Sequence, residues 1–152
     1  MAKMPRQKPG RSKQDYATPP KFIQAVKRLL DISFFAFDFA ADIHNSKAEG
    51  RFWSRMDDSL AQSRERWVQR VGPEWGWLNP PFAHIAPWVK RCMELKDDGG
   101  KVALLVPAAI GSNWFRDYVH THARVYALNG RISFDGIAPY PKDCMLCLYG
   151  DE

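Results

Sequence analysis

The run Trp75-Gly76-Trp77-Leu78 is short and apolar, and it stops at Asn79-Pro80-Pro81-Phe82 before Ile85-Ala86-Pro87-Trp88-Val89 opens a helical spacing. Two consecutive prolines fix φ at both positions and carry no N–H, so neither a strand ladder nor a helix interior continues through them. The succession therefore reads as a buried strand, a stiff corner and a helix. A unit of that kind is stable only as part of a larger α/β layer arrangement.

The rest of the chain supplies the layers. Phe22, Ile23, Val26, Leu29 and Leu30 have the spacing of an amphipathic helix with proline in its first turn, and Thr18 is the predicted N-cap. Phe34 to Asp42 is a dense apolar run interrupted by Asp38, predicted as a buried strand with the acid at its carboxyl end. Phe52-Trp53 reads as a short strand, Asp57-Asp58-Ser59-Leu60 opens a polar helical stretch, and Arg70 to Gly76 reads as a loop. Trp88, Val89, Cys92, Met93 and Leu95 form one helical stripe that Asp97-Asp98-Gly99-Gly100 stops. Val102 to Val106 is a buried strand ended by Pro107, Trp114 to Val119 a short helix, and Cys144 to Tyr149 a last strand. Arg124 to Leu128, Asn129-Gly130 and Arg131 to Phe134 predict a hairpin, because Asn-Gly tolerates the positive φ of a type I′ turn. Strands separated by helices, with a hairpin at the end, describe a three-layer α/β fold: a mostly parallel sheet with an antiparallel edge.

With 152 residues, 45% of them hydrophobic, the chain is expected to be one globular domain with a proper core. Its charge is unevenly spread. Lys3, Arg6, Lys8, Arg11 and Lys13 precede the first acid, Asp15, and the remaining bases balance the 17 acids. Residues 1–14 therefore read as a basic flexible arm ahead of a domain spanning 15–152, suited either to lie along phosphates or to act as a solubilising tail. No apolar run has the length of a membrane helix and no signal-peptide core is visible, so the cytoplasm is the expected compartment. The cysteines Cys92, Cys144 and Cys147 make no even disulfide framework. Cys144 and Cys147 have CxxC spacing without a second pair, and His120-Thr121-His122 reads as a solvated helix end, so no metal is expected.

The corner itself carries the chemistry. An exocyclic amine has its lone pair drawn into the aromatic ring, and both of its hydrogens need acceptors. The Asn79 amide oxygen and the Pro80 carbonyl offer two, the prolines bring no competing donors, and Phe82 offers a face for a base to stack on. A plain proline-rich strand exit with Phe82 buried is the structural alternative. Asp38 at its strand end suits a cationic amine or ribose hydroxyls, or caps the following loop through that loop's own backbone. Asp57 or Asp58 suits a ribose or an adenine amino group, or a helix start.

Several of these pieces, in this order, resemble the phage-type DNA N6-adenine methyltransferases (Dam-like). They are Thr18-Pro19 before a helix, Phe37-Asp38-Phe39-Ala40-Ala41 with Asn45-Ser46-Lys47, Asp57-Asp58-Ser59-Leu60, Asn79-Pro80-Pro81-Phe82, Leu105-Val106-Pro107-Ala108 with Trp114-Phe115, and Gly130-Arg131-Ile132 with Phe134. The resemblance spans about residues 15–150. It implies a Rossmann-like S-adenosylmethionine-dependent methyltransferase fold acting on adenine N6 in DNA, in a bacterial or phage-infected cytoplasm. It places Thr18 and Pro19 by the methionine end of the cofactor, Asp38, Ala40 and Ala41 along its pocket, and Asp57 or Asp58 on its adenosine half. Asn79, Pro80, Pro81 and Phe82 would hold the target base, and the arm and Arg131 would contact DNA.

The sequence departs from the family pattern in two ways. Phe39 stands where a small residue or proline is usual, and the Gly-rich loop common in other methyltransferases is absent. The chain also leaves little for a separate target-recognition domain, so the loop Asp135 to Lys142 and the arm would read DNA, recognition would be loose, or a second subunit would contribute. The alternatives are methylation of another amino nitrogen (RNA guanine N2, cytosine N4 or protein glutamine) and an inactive nucleic-acid-binding module of the same fold.

Overall fold

The computed structural model describes residues 18–129 and 142–150. The arm, Asn129's predicted turn partner Gly130, Arg131 and most of the Asp135 to Lys142 loop lie outside the described residues.

In chain order the elements are α1 (Pro20–Leu30), β1 (Phe37–Asp38), a 3-10 turn at Ser59–Ala61, α2 (Arg64–Val71), β2 (Trp75–Leu78), α3 (Ala86–Asp97), β3 (Lys101–Pro107), α4 (Asn113–Tyr118), β4 (Arg124–Ala127) and β5 (Cys144–Tyr149). The strands form one sheet in the order β1-β2-β3-β5-β4. β1, β2 and β3 are mutually parallel, and β5 is antiparallel to both β3 and β4. All strands except β5 therefore point the same way, and the carboxyl ends of β1, β2 and β3 share one edge of the sheet.

Alternation along the strands divides the core between the two faces. Val102, Leu104 and Val106 of β3 pack on one face with Trp67 and Val71 of α2 and Val89, Cys92 and Leu95 of α3. Ala103 and Leu105 pack on the other with Ile23 and Val26 of α1. The same alternation puts Cys144 on one face and Cys147 on the other, so the CxxC spacing does not bring the two thiols to a common point. No helix among the described residues is long and apolar enough to cross a membrane.

Four expectations need correction. Thr18 is not the N-cap of α1: Pro19 holds that position, with no side-chain cap. The strand predicted over Phe34 to Asp42 narrows to Phe37–Asp38. Ahead of it the Arg51 guanidinium donates to the Phe35 and Ala36 carbonyls at 3.1 and 3.0 Å, taking acceptors that a neighbouring strand would have used. Behind it, Ala40 donates its N–H to the Asp38 carboxylate at 3.1 Å and leaves the ladder. The loop predicted over Arg70 to Gly76 shortens because α2 runs to Val71 and β2 starts at Trp75, with Gly72 turning the chain at φ 53°. The polar helical stretch predicted from Asp57 is broken: Asp58 adopts φ 52°, and α2 restarts after Ser63, whose Oγ accepts from the Arg66 N–H.

Phe52 makes a parallel bridge to Asp38, so the short strand predicted there exists as a single rung on the outer side of β1. β4 pairs with β5 and forms the antiparallel edge together with it. The proposed partner run Arg131 to Phe134 falls outside the described residues.

Candidate active site

Asn79 follows the last residue of β2 on the edge where the parallel strands end. Its side chain is half-buried, Pro80 is buried, and Pro81 and Phe82 are half-buried. The Asn79 Nδ2 donates to the Thr18 Oγ1 at 3.1 Å, a contact between residues 61 apart in sequence. Thr18 is 2% exposed, so this hydroxyl is fixed beneath the surface. With Nδ2 held there, Oδ1 turns the other way. It is buried and has no hydrogen-bond partner among the described residues. A buried amide acceptor left unpaired costs about 1–3 kcal/mol, a penalty that folded proteins rarely carry without a use for it. Phe82 packs against the core clusters of both faces, at the place where they meet above the sheet edge.

Asp38 ends β1 on the same edge and is 2% exposed. Its Oδ1 accepts from the Ala40 N–H at 3.1 Å and its Oδ2 from the Lys47 N–H at 2.9 Å. Loss of hydration pushes the carboxyl up to about 7, while those two N–H groups and the Lys47 charge hold it back. Both oxygens are thus committed to the loop that follows, and the loop-capping alternative describes Asp38 as found. Ala40 and Ala41 are buried, and the Ala41 N–H donates to the Trp53 carbonyl at 3.1 Å. These bonds give the loop after β1 a fixed shape without glycine.

Phe39 has no exposed surface. Its ring stacks on Trp67 with centroids 4.0 Å apart and planes 7° from parallel. Gly76 makes that possible: a Cβ there would stand 2.7 Å from Phe39 Cε2 and 2.8 Å from Val71 Cγ1. The missing side chain on β2 answers the unusual bulk on the loop after β1.

Beside the corner lies a cleft of about 310 Å³ lined by Phe39, Ser54, Arg55, Asp58, Ser59, Pro81 and Trp88. Pro81 belongs to both cleft and corner. The lining combines the apolar and aromatic walls of Phe39, Pro81 and Trp88 with one acceptor carboxylate, Asp58, one guanidinium, Arg55, and two serines, a set that suits a purine nucleoside. Ser59 is buried; its Oγ donates to the Phe39 carbonyl, and its own carbonyl accepts from Trp67 Nε1 at 2.9 Å. Asp57 and Asp58 part company. The Asp57 Oδ2 accepts from the Ser54 N–H at 2.7 Å and the Ser54 Oγ at 3.1 Å, so Asp57 closes its own turn and faces away from this cleft, whereas Asp58 lines it.

The fold therefore gathers Thr18, Asn79, Pro81, Phe39 and Asp58 around the carboxyl ends of β1 and β2. Ser54, Arg55 and Ser59 also line the cleft, with no sequence pattern that marks the first two, and Trp88 of the α3 core stripe joins them. Ser59 beside two acids was the one available signal, a small polar residue that the fold buries. Lys3, Arg6, Lys8, Arg11, Lys13 and Arg131 lie outside the described residues. Among the described residues no three His, Cys, Asp or Glu side chains converge as metal ligands would.

Comparison with protein families gives one finding: the family model described as DNA N-6-adenine-methyltransferase (Dam) matches residues 6–143. No curated protein matches the chain.

Proposed function

The chain belongs to the DNA N-6-adenine-methyltransferase (Dam) family, and from that premise we propose that it transfers a methyl group from S-adenosylmethionine to the N6 amino group of an adenine held out of the DNA helix. A base inside a duplex is out of reach of a site at a sheet edge, so the target leaves the stack. The observation that carries the reading is the Asn79 amide, turned by Thr18 so that a buried oxygen has no donor among the described residues. An acceptor of that kind is completed by a hydrogen-bond donor, and the N–H of an exocyclic amine is one.

In this reading Asn79 Oδ1 and the Pro80 carbonyl accept the two amino hydrogens, and the Phe82 ring supports the plane of the base. As the nitrogen develops positive charge, these fixed dipoles stabilise it without having to reorganise, a term worth several kcal/mol per well-aimed group. The N6 proton passes to solvent after transfer, since positioning and acceptor dipoles carry the step and no general base is required. Bound S-adenosylmethionine supplies a methyl group made electrophilic by its sulfonium. The residues present suit it: Phe39, Pro81 and Trp88 wall a cleft of nucleoside size, and the Asp58 carboxylate in its lining would accept from ribose hydroxyls. Asp38 acts on the site indirectly, by setting the loop that carries Ala40 and Ala41. Thr18 holds Nδ2 of Asn79, on the side of the amide away from the orphaned oxygen, and Pro19 follows it at the N-cap of α1. The three-layer Rossmann-like fold implied by the sequence accords with a sheet buried on both faces.

The test is to incubate the protein with methyl-labelled S-adenosylmethionine and, separately, DNA, RNA and protein acceptors, and to identify the modified nucleosides by mass spectrometry. N6-methyladenine in the DNA fraction is expected. Label confined to RNA guanine, cytosine or protein glutamine would refute the adenine assignment.

A further inference from the structure

We propose that the groove on the outer side of β1, opposite the cleft, holds the phosphodiester backbone of the substrate nucleic acid; this rests on the DNA reading above. The groove measures about 470 Å³ and its lining includes Arg51, Arg66, Arg70, Gln62, Gln69 and Asp57. Its charge does not come from a random scatter of surface arginines. Arg66, Gln69 and Arg70 fall at the i, i+3, i+4 spacing that puts them on one face of α2, and Arg51 meets them from the segment that bridges to β1.

Two of the three guanidinium groups are fixed in advance. Arg51 is tied to the carbonyls of Phe35 and Ala36 at 3.1 and 3.0 Å. Arg70 lies over the rings of Phe37 and Trp53, 5.5 Å from each centroid. Arg66 is exposed, and among the described residues no carboxylate forms an ion pair with any of the three. The contrast with Arg64 on the same helix is informative, because Arg64 faces α3 and is paired with Asp98 at 2.8 Å and Glu94 at 3.4 Å. Among the described residues the arginine that faces protein is paired, whereas the groove's lining holds one carboxylate, Asp57, whose Oδ2 already accepts from Ser54.

Planar guanidinium groups held in place, flanked by two amides, are suited to phosphate oxygens. The position suits a polymer. The wall between cleft and groove is the segment from Trp53 to Gln62, with Asp58 on the cleft side and its neighbour Asp57 on the groove side. A strand that delivers a base to Asn79 would bring its flanking phosphates to the groove by running down the outer side of β1 along this segment. The contacts would be electrostatic, adding affinity without reading sequence.

The test measures binding of a short fluorescein-labelled DNA duplex by anisotropy across a salt series, for the full chain and for Arg66→Gln, Gln69→Glu and the double variant. Both positions are exposed on α2, so thermal melting should match wild type. Loss of one phosphate contact lowers the slope of log K against log salt by about 0.9. Arg66→Gln should lower it by about one, the double variant further, and Arg28→Gln on α1 not at all. S-adenosylmethionine affinity, measured by calorimetry, should stay within twofold of wild type. Unchanged slopes in variants that still bind duplex would overturn this inference and leave the methyltransferase reading standing. A wild-type protein that binds cofactor but no duplex would overturn both. A salt-sensitive loss seen with ATP or inorganic phosphate but not with duplex would reassign the groove to a free nucleotide and overturn the nucleic-acid occupant.

Discussion

Replacing Asn79 by alanine separates the proposed role of its amide from an ordinary structural one, because the two give opposite signatures. Among the described residues the amide makes one hydrogen bond, from Nδ2 to Thr18 Oγ1 at 3.1 Å, and Oδ1 is buried without a partner. Truncation removes that bond, worth about 1 kcal/mol net, and strands the Thr18 hydroxyl at a cost of about 1–3 kcal/mol. It also abolishes the penalty of the orphaned Oδ1, again about 1–3 kcal/mol. The second and third terms nearly cancel, so Asn79→Ala should lower folding stability by only about 1 kcal/mol. Pairing it with Thr18→Val, which removes the stranded hydroxyl, should bring stability back to wild type or slightly above it. Catalysis should respond on another scale: losing one pre-aimed acceptor costs about 10²–10³-fold in kcat. The measurements are urea denaturation of the single and double variants and methyl transfer to an adenine-containing duplex, with cofactor affinity as the control. A stability loss above about 3 kcal/mol, or a kcat within a factor of about three of wild type, would rule out this role for the Asn79 amide.

Two further perturbations probe the frame around the corner. The Asp38 carboxyl, pushed up to about 7 from an ordinary 3.8, keeps in the fold a proton that the unfolded chain has released. Its contribution to stability is therefore full below about pH 3.8, falls as pH rises toward 7 and is flat above, a span of about 4 kcal/mol at most. Urea midpoints at pH 5 and pH 8 should differ more in wild type than in Asp38→Asn, with wild type the more stable at pH 5 relative to the variant; equal differences would exclude this linkage. Gly76→Ala places a Cβ within 2.8 Å of Phe39 and Val71 and should cost about 1–3 kcal/mol, lowering Tm by roughly 3–10 °C. Because Phe39 lines the cleft, cofactor affinity should fall with it, and a variant with unaltered Tm would show that the Phe39 ring yields freely.

Much of the frame is legible locally because it depends on neighbours in sequence. The strands at Trp75–Leu78 and Cys144–Tyr149 and the helix at Ala86–Asp97 follow from short apolar runs, proline punctuation and the Gly99-Gly100 stop, which act over a few residues. The corner after β2 follows in the same way. What failed locally is also instructive: an N-cap at Thr18 was the natural reading of Thr-Pro before a helix, and no local rule signals that an amide 61 residues away takes that hydroxyl instead. The same holds for Arg51, which shortened β1 by taking carbonyls 15 and 16 residues behind it.

Residue order was enough for the succession of strands and helices along the chain, the proline-stiffened corner with its acceptor atoms, and the motif order that marks the family. Long-range packing set the rest: Gly76 makes room for Phe39, Asp58 and not Asp57 meets the cleft, and Asn79 Oδ1 has no partner among the described residues. The division has a physical reason. Backbone preferences and periodicity are set by adjacent residues, whereas the direction of a hydrogen bond and the space beside a ring depend on which distant side chains the sheet brings together.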